Sequence, residues 1–359
     1  MRERSRWGRA VVIGLVGTTC ALLLGGAACQ PTPATPLCGL GRGGQPGSLL
    51  SADGDHVVYL SDSTDLGPDA NSTACDVFVR TLSTGVVERV SAEETAVGAP
   101  EAISADGRLV LYPVGGVAKL VDVASGEVLW SVPTPLPRAV DLTPDGRYVA
   151  WADGLDVLRL DRTTGDVEEI ASGAPAPPGG GAAINSVSIS DAGSVVAVGA
   201  WSGLYTWDLA AGAVQQHDAA RSVRVELSPD GSTIAREVAF SADVVSQVSL
   251  IDRATGAVTE LEASRALASM AWSVEGSWVV YTSANQNLAG DPTGLDPREL
   301  GAQQVYARRV RDQRVVRLYQ PGLFGWPNGP TFDVAFTATD HNPFNSPRDR
   351  QFQVVALEP

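Results

Sequence analysis

The chain reads Thr143-Pro144-Asp145-Gly146-Arg147-Tyr148-Val149-Ala150-Trp151 near its middle. An Asp-Gly pair favours positive backbone φ angles and therefore a tight hairpin turn. The apolar run that follows is typical of a β-strand covered on both faces. The stretch therefore predicts one hairpin of a buried antiparallel sheet, and its recurrence along the chain decides the fold.

Seven copies of this turn are spread over most of the chain, each followed by a β-rich run. They are Ser51–Gly54, Ser104–Gly107, Thr143–Gly146, Ser190–Gly193, Ser228–Gly231, Ser273–Gly276 and a weaker copy, Trp326–Gly329. In most copies another strand then leads to a Thr-Gly or similar turn and a last short strand. Each repeat of roughly 40 to 50 residues therefore holds four strands in a meander, which is the blade of a β-propeller.

We predict an all-β chain that forms a single β-propeller of four-stranded antiparallel blades. Seven blades are favoured by the number of turns, and six blades are the alternative. A β-sandwich would leave the fixed order of the two turn motifs unexplained. The seventh repeat is short, so part of residues 37–46 is expected to supply its outer strand, with a three-stranded last blade as the alternative.

The first repeat resembles secreted bacterial β-propellers of the TolB-like and WD-repeat-like kind. The resemblance is carried by Val57–Asp62, Asp76–Arg80 and Thr84-Gly85, together with the Ser/Thr-Pro-Asp-Gly turns. It covers roughly residues 45 to 357 and implies a propeller architecture rather than a particular activity. TolB-like proteins have six blades, whereas this chain carries seven turn motifs.

Residues 1–28 have the features of an export signal. Four arginines between Arg2 and Arg9 precede an uncharged apolar run from Ala10 to Ala28, which ends in the small residues Gly26-Ala27-Ala28. This order is typical of a cleaved signal peptide. The run is also at the lower limit for a membrane span, so an uncleaved anchor is the alternative.

Cys29 directly follows the predicted cleavage site and precedes a stretch rich in proline and threonine. This arrangement resembles a bacterial lipoprotein, although Gly26 stands where the usual lipobox has leucine. We predict lipidation of Cys29, with simple secretion as the alternative. Residues 29–45 would form a tether, residues 46–359 the propeller, and the protein would lie in the periplasm, on the outer membrane or cell surface, or outside the cell.

The net charge limits the classes of partner that we expect, and the cysteine content indicates the redox state of the compartment. The chain has 26 basic and 41 acidic residues and a formal net charge of −15. A surface of this sign repels phosphate backbones, so we expect no nucleic-acid partner, and a membrane contact only through the lipid anchor. Cys38 and Cys75 remain outside the signal, and two cysteines in an oxidising compartment predict one disulfide.

The longer loops are predicted to lie on one face of the propeller. Turns between strands one and two and between strands three and four share one face, so the other connections share the opposite face. The longer segments all belong to that opposite face: Ser61–Ala74, Ala171–Ala183, Ala239–Gln247, Ser283–Gln303 and Thr339–Arg350. Variable loops on a rigid scaffold usually form binding sites. We name this surface the loop-rich face and predict that it binds the partner, although loops also accept insertions at little energetic cost.

Two kinds of candidate site lie in or near these loops. Trp201 and Trp326 are candidates for a surface that binds a sugar or a peptide. If the protein is an enzyme, Asp340 and His341 are the first candidates for catalytic residues. Acidic residues in two loops offer oxygen ligands for calcium: Asp62, Asp65, Asp69, Asp291 and Asp296. Local Asx turns explain such residues equally well.

No motif for catalysis is present in the sequence. There is no Gly-x-Ser-x-Gly nucleophile turn and no phosphate-binding glycine loop, and the three histidines lie in different repeats. We therefore predict a non-catalytic scaffold without a resident cofactor, which binds an envelope protein or a small ligand through the loop-rich face. The alternatives are a propeller enzyme of the lactonase, lyase or glycosidase type and a calcium-stabilised binding module.

Overall fold

The structure is a computed structural model and describes residues 15–16, 48–61, 75–91, 97–133, 139–172, 184–239, 246–264, 270–283, 304–319 and 352–353. The described residues form β-strands, turns and bends, without a helix among them. The described part of the chain consequently contains no helix that is long and apolar enough to cross a membrane.

The described strands form six four-stranded antiparallel sheets and one two-stranded pair. A short strand comes first, β1 (Leu15–Val16). Blade 1 follows with β2 (Ser48–Leu50), β3 (His56–Ser61), β4 (Asp76–Thr81) and β5 (Val87–Arg89). Blade 2 contains β6 (Ala102–Ile103), β7 (Leu109–Val114), β8 (Val117–Asp122) and β9 (Val128–Pro133). Blade 3 contains β10 (Val140–Leu142), β11 (Tyr148–Asp153), β12 (Asp156–Asp161) and β13 (Asp166–Ala171).

The second half of the chain repeats the pattern. Blade 4 contains β14 (Ile184–Ile189), β15 (Val195–Ala200), β16 (Gly203–Asp208) and β17 (Ala213–Asp218). Blade 5 contains β18 (Ser222–Leu227), β19 (Thr233–Ala239), β20 (Ser246–Asp252) and β21 (Val258–Ser264). Blade 6 contains β22 (Met270–Trp272), β23 (Trp278–Ser283), β24 (Gln304–Arg309) and β25 (Val315–Tyr319). The last strand, β26 (Phe352–Gln353), pairs with β1.

The blades are arranged as in a propeller, with the first strand of each blade innermost. The first strands of successive blades contact one another from β2 through β22. The fourth strands β9, β13 and β17 are largely exposed, which places them at the rim. The predicted propeller of four-stranded antiparallel blades is confirmed, and it has six blades, the stated alternative, where seven were favoured. The seventh turn (Trp326–Gly329) and the proposed ring-closing segment 37–46 lie outside the described residues.

Each blade buries the flat side of its neighbour. Val58 and Val79 of blade 1 pack in one cluster with Val110 and Val121 of blade 2, and all four side chains are buried. Burial of one such side chain stabilises the fold by roughly 1.5–3 kcal/mol. Because no single sheet can cover both of its own faces, stacking of successive blades provides the core.

The turn between the first two strands of a blade is held by its own side chains. In blade 1 the Ser51 hydroxyl accepts a hydrogen bond from the His56 amide at 2.9 Å and donates one to Asp53. The Gly54 amide donates to the Ser51 carbonyl at 2.9 Å, with a φ of +75° at Gly54. The same hydroxyl contacts recur at Ser104, Thr143 and Ser228. The repeated sequence motif is therefore a structural turn.

Main-chain hydrogen bonds also join these turns from blade to blade. The Asp53 amide donates to the Ala105 carbonyl at 3.0 Å, and the Ala105 amide donates to the Pro144 carbonyl at 2.6 Å. The Asp191 amide donates to the Pro229 carbonyl at 2.9 Å. Proline has no amide hydrogen, so Pro144 and Pro229 accept a bond from the preceding blade and pass none onward.

The opposite face carries connections of unequal length. Three consecutive blades have two-residue hairpins between their second and third strands, at Gly115-Gly116, Gly154-Leu155 and Trp201-Ser202. The corresponding connections of blades 1, 5 and 6 run over residues 62–75, 240–245 and 284–303. The length variation predicted for this face is therefore present, and Trp201 lies in the last short hairpin before blade 5.

Candidate functional site

Trp201 is the only predicted ligand-binding residue within the described part of the chain. Trp326, Asp340 and His341 lie outside the described residues. The same holds for the predicted calcium ligands, namely Asp62, Asp65, Asp69, Asp291 and Asp296. Within the described ranges, no group of three or more His, Cys, Asp or Glu side chains could hold a metal ion.

Cys75, which directly precedes β4, is disulfide-bonded. Its partner lies outside the described residues, as do Cys29 and Cys38. The pairing of Cys75 with Cys38 and the lipidation of Cys29 therefore stay predictions.

Trp201 is exposed at the tip of the β15–β16 hairpin on the loop-rich face. It retains 45% of its accessible surface, whereas Trp151 and Trp278 retain 4% and 2%. The guanidinium of Arg221, on the link from blade 4 to blade 5, lies over its ring with Cζ 3.5 Å from the centroid. A cation over an indole face is attracted by the ring quadrupole. The two residues thus form a small platform at the junction of blades 4 and 5.

The hairpin that carries Trp201 is held in place by side chains of β16 and β17. The Tyr205 hydroxyl donates to the Ser202 carbonyl at 3.2 Å, and the Gln216 side-chain amide donates to the Tyr205 hydroxyl at 3.0 Å. Gly203 has a φ of +136°, and a β-carbon there would lie 2.0 Å from the Asp218 carbonyl oxygen. The hairpin backbone therefore lies against the end of β17, where the link begins, and only glycine permits this contact.

The link that carries Arg221 is fixed by the Asp218 carboxylate. One of its oxygens accepts from the Ala220 amide at 2.8 Å, and the other lies 2.5 Å from an Nη atom of Arg236. The Ser222 hydroxyl donates to the Ala220 carbonyl at 3.4 Å. The backbone on both sides of the platform is consequently preorganised, which lowers the entropy lost on binding.

Polar side chains lie at equivalent positions on the innermost strands of three blades. Asp141 on β10, Ser188 on β14 and Glu226 on β18 each come two residues before the Ser or Thr of their turn. One Asp141 oxygen accepts from the Leu142 amide at 2.8 Å and the other from the Ile189 amide of the next blade at 2.9 Å. Such side-chain acceptors satisfy amides of strands that do not pair with each other.

Asp141 has a strongly shifted proton affinity. Burial raises the pKa of Asp141 to about 7, and the negative charge of Glu226 adds to the effect. Glu226 is paired with Arg224, whose Nε lies 2.9 Å from a carboxylate oxygen. A carboxyl group with such a pKa can both give and take a proton near neutral pH. Asp141 and Glu226 were not predicted from the sequence, although both lie two residues before the Ser or Thr of a turn motif.

Solved structures show the same fold. No protein-family model and no curated protein matches the chain. An oligogalacturonate lyase from Vibrio parahaemolyticus aligns over 81% of this chain and 80% of its own, at 13% identity and a TM-score of 0.53. The Swd1 (Cps50) β-propeller domain of Myceliophteria thermophila aligns over 79% and 89%, at 14% identity and a TM-score of 0.50. The chain is a β-propeller.

TolB from Acinetobacter baumannii is also among the similar structures. The propeller aligns with it over 74% of this chain at 18% identity and a TM-score of 0.49. The aligned part spans 64% of the TolB chain, which is less than two thirds of its length. At identities this low, function has to be argued from the site.

Proposed function

We propose that this protein is an exported, non-catalytic binding module that holds a protein or small ligand on its loop-rich face, at the junction of blades 4 and 5. The observation that carries the proposal is Trp201, which is 45% exposed in a hairpin that is fixed by neighbouring side chains. Exposure of a rigid aromatic side chain is typical of a binding surface, since it offers contact area with little loss of conformational entropy.

Binding to arrays of glycans and peptides, followed by titration of the best ligand, tests this proposal. The Trp201→Ala variant should bind at least about tenfold more weakly, as expected when a central aromatic contact is removed. Val214→Ala is the matched control, because Val214 is 63% exposed on the rim strand β17. Equal affinities of wild type and Trp201→Ala for every captured ligand would contradict the proposal.

A propeller enzyme is the second candidate, and Asp141 is the observation that favours it. Its pKa of about 7 and its proximity to Glu226 give a carboxyl pair with different environments, as acid–base catalysis requires. A screen with lactones and oligosaccharides, including oligogalacturonate, tests for turnover. Loss of turnover in Asp141→Asn with binding retained would assign the activity to Asp141 on the innermost strand β10, and absence of turnover on the whole panel would reject this candidate.

Export and anchoring rest on residues 1–29 and are part of the proposal. Expression in a bacterial host with globomycin, which blocks lipoprotein processing, should leave a larger precursor. A Cys29→Ser variant should move from the membrane fraction to the soluble envelope fraction. Unchanged membrane attachment of Cys29→Ser would instead indicate an uncleaved anchor.

A further inference from the structure

We infer that Arg221 and Trp201 together bind an oxyanion, a carboxylate or a phosphate, carried next to a flat apolar group. This inference rests on the proposed function and names the class of ligand for the same surface.

Arg221 has no acidic partner among the described residues, whereas many other arginines of the described chain have one. Eight arginines of the described chain form ion pairs with Asp or Glu: Arg89, Arg108, Arg147, Arg159, Arg224, Arg236, Arg253 and Arg309. Arg221 has a ring contact with Trp201 and no ion pair or hydrogen bond to any described side chain. A stacked but unpaired cation in a chain with a net charge of −15 is therefore available to an external anion.

The carboxylate closest to Arg221 in the sequence is already engaged. Asp218 lies three residues before Arg221, and its two oxygens are held by the Ala220 amide and by Arg236. A pairing of Asp218 with Arg221 would have to compete with these bonds, of which the one to a guanidinium is charge-assisted and strong. The local arrangement thus keeps Arg221 unpaired.

The stacked geometry leaves the hydrogen-bond donors of Arg221 at the edge of the guanidinium. A flat contact at 3.5 Å uses the π face of the group, whereas its N–H bonds point outward in the plane. The Nε atom is buried without a hydrogen-bond partner among the described residues, so the terminal nitrogens provide the donors for a ligand. Their planar fork matches the oxygens of a carboxylate or phosphate.

Trp201 explains why the anion should be attached to a flat apolar group. The overall negative charge of the chain repels small free anions, so charge alone supplies little affinity. The exposed surface of the indole adds apolar and stacking contacts that a bare anion cannot use. A ligand with an oxyanion beside a ring uses both halves of the platform.

Titration of the full chain with benzoate, followed by two-dimensional NMR of the indole N–H and arginine Nε–H signals, tests this inference. Benzamide is the neutral probe of the same shape, and phenyl phosphate tests the second oxyanion. We expect saturable shifts at Trp201 and Arg221 with benzoate or phenyl phosphate, and binding of benzamide about tenfold weaker, since charge-assisted bonds are roughly twice as strong as neutral ones.

Two variants of Arg221 and one control variant test whether the preference for an oxyanion depends on Arg221. Arg221→Gln should abolish the preference for benzoate over benzamide, and Arg221→Lys should restore it only in part because lysine lacks the planar fork. Arg314→Gln is the matched control, since Arg314 is exposed, carries no ion pair and lies on the opposite face. It should leave the titration unchanged.

The outcomes separate this inference from the function on which it rests. A preference of the oxyanion probes that depends on Arg221 supports it, and the stronger probe identifies carboxylate or phosphate. Equal binding of benzoate and benzamide, or a benzoate response unchanged in Arg221→Gln, overturns it. In that case, a ligand captured on the arrays whose binding still requires Trp201 would support the proposed binding function, with an uncharged ligand. If its binding does not require Trp201 either, both the inference and the proposed function are wrong.

Discussion

Gly107, in the first turn of blade 2, lies directly against the imidazole of His56 in blade 1, where an added β-carbon would come within 2.2 Å of Cγ. The same relationship holds between Gly146 and Leu109, and between Gly193 and Tyr148. In each pair the turn glycine of one blade meets the residue that begins the second strand of the preceding blade. The repeated glycine therefore serves both the positive φ angle and the contact between blades.

Replacement of Gly107 by alanine should be more damaging than replacement of Gly54. Gly54 has nearly the same φ, +75° against +72°, but nothing lies within 4 Å of an added β-carbon. Gly54→Ala should lower the free energy of unfolding by about 1 kcal/mol, from backbone strain alone. Gly107→Ala should lose a further amount of about 1–3 kcal/mol, because the Cβ and Cγ of His56 are too close to its backbone to move aside. Urea unfolding measures both, and equal losses would reject the interblade contact.

A second pair allows the contact to be rescued. A β-carbon on Gly146 would lie 2.4 Å from Cδ1 of Leu109, an atom that Leu109→Ala removes. Gly146→Ala should therefore destabilise the Leu109→Ala background less than the wild type, with a coupling free energy of about 0.5–3 kcal/mol. Additive losses in this double-mutant cycle would show that the two residues do not restrain each other.

His217 should make the propeller less stable as the pH falls. It is half-buried on β17, and its Nε2 lies 2.8 Å from the Thr206 hydroxyl. Burial lowers the pKa of His217 below its usual 6.5, and the charges of Arg253 and Arg236 lower it further. The unfolded chain therefore takes up a proton first, and stability is lost as the pH falls from about 6.5 through the folded pKa. Unfolding of His217→Gln should lack this loss, and parallel pH curves for the two proteins would contradict the assignment.

The repeat was readable from sequence because its signals are local. Ser51, Asp53 and Gly54 bond to one another within one turn, so the motif predicts its own structure, and the strands on either side follow from their apolar runs. Trp201 was also found as a tryptophan near a loop. Arg221 was missed because its importance comes from a ring that lies twenty residues earlier and from the engagement of Asp218. Such contacts between blades leave no trace in a short window.

The number of blades was also hard to predict from short sequence motifs. Seven turn motifs predicted seven blades, and the first six of them each begin a four-stranded sheet. A turn motif reports one hairpin, whereas a blade also needs a third and fourth strand. In blade 6 those strands, β24 and β25, follow the connection of residues 284–303, whose length no motif fixes. The count of turns is therefore a weaker predictor than the order of both turn types within each repeat.

The disulfide at Cys75 should stabilise the first blade. Cys75 is bonded and directly precedes β4, whose side chains Val77 and Val79 are buried in the contact with blade 2. Cys75→Ser should lower the free energy of unfolding by roughly 2–4 kcal/mol, as for other native disulfides. Peptide mapping without reduction should identify Cys38 as the partner, and Cys38→Ser should then reproduce the loss. A peptide linking Cys75 to Cys20 or Cys29 would contradict the predicted pairing.

Asp141 should act on stability in the direction opposite to His217. Because burial raises the pKa of Asp141 to about 7, the unfolded chain releases this proton at a lower pH than the folded chain. Stability should therefore fall as the pH rises from about 4 to about 7 and level off above, since only the folded state resists ionisation in that window. Asp141→Asn cannot ionise, but its NH2 group replaces one of the two oxygens that accept from the Leu142 and Ile189 amides, so a donor then faces a donor. The free energy of unfolding of the variant should consequently be lower than that of the wild type at about pH 4.5, and should approach or exceed it at about pH 8. Asp166→Asn, which removes an exposed carboxylate from the rim strand β13, controls for the loss of one negative charge. If the difference between Asp141→Asn and the wild type does not change with pH, Asp141 is ionised across this range and cannot serve as the acid–base group of a propeller enzyme.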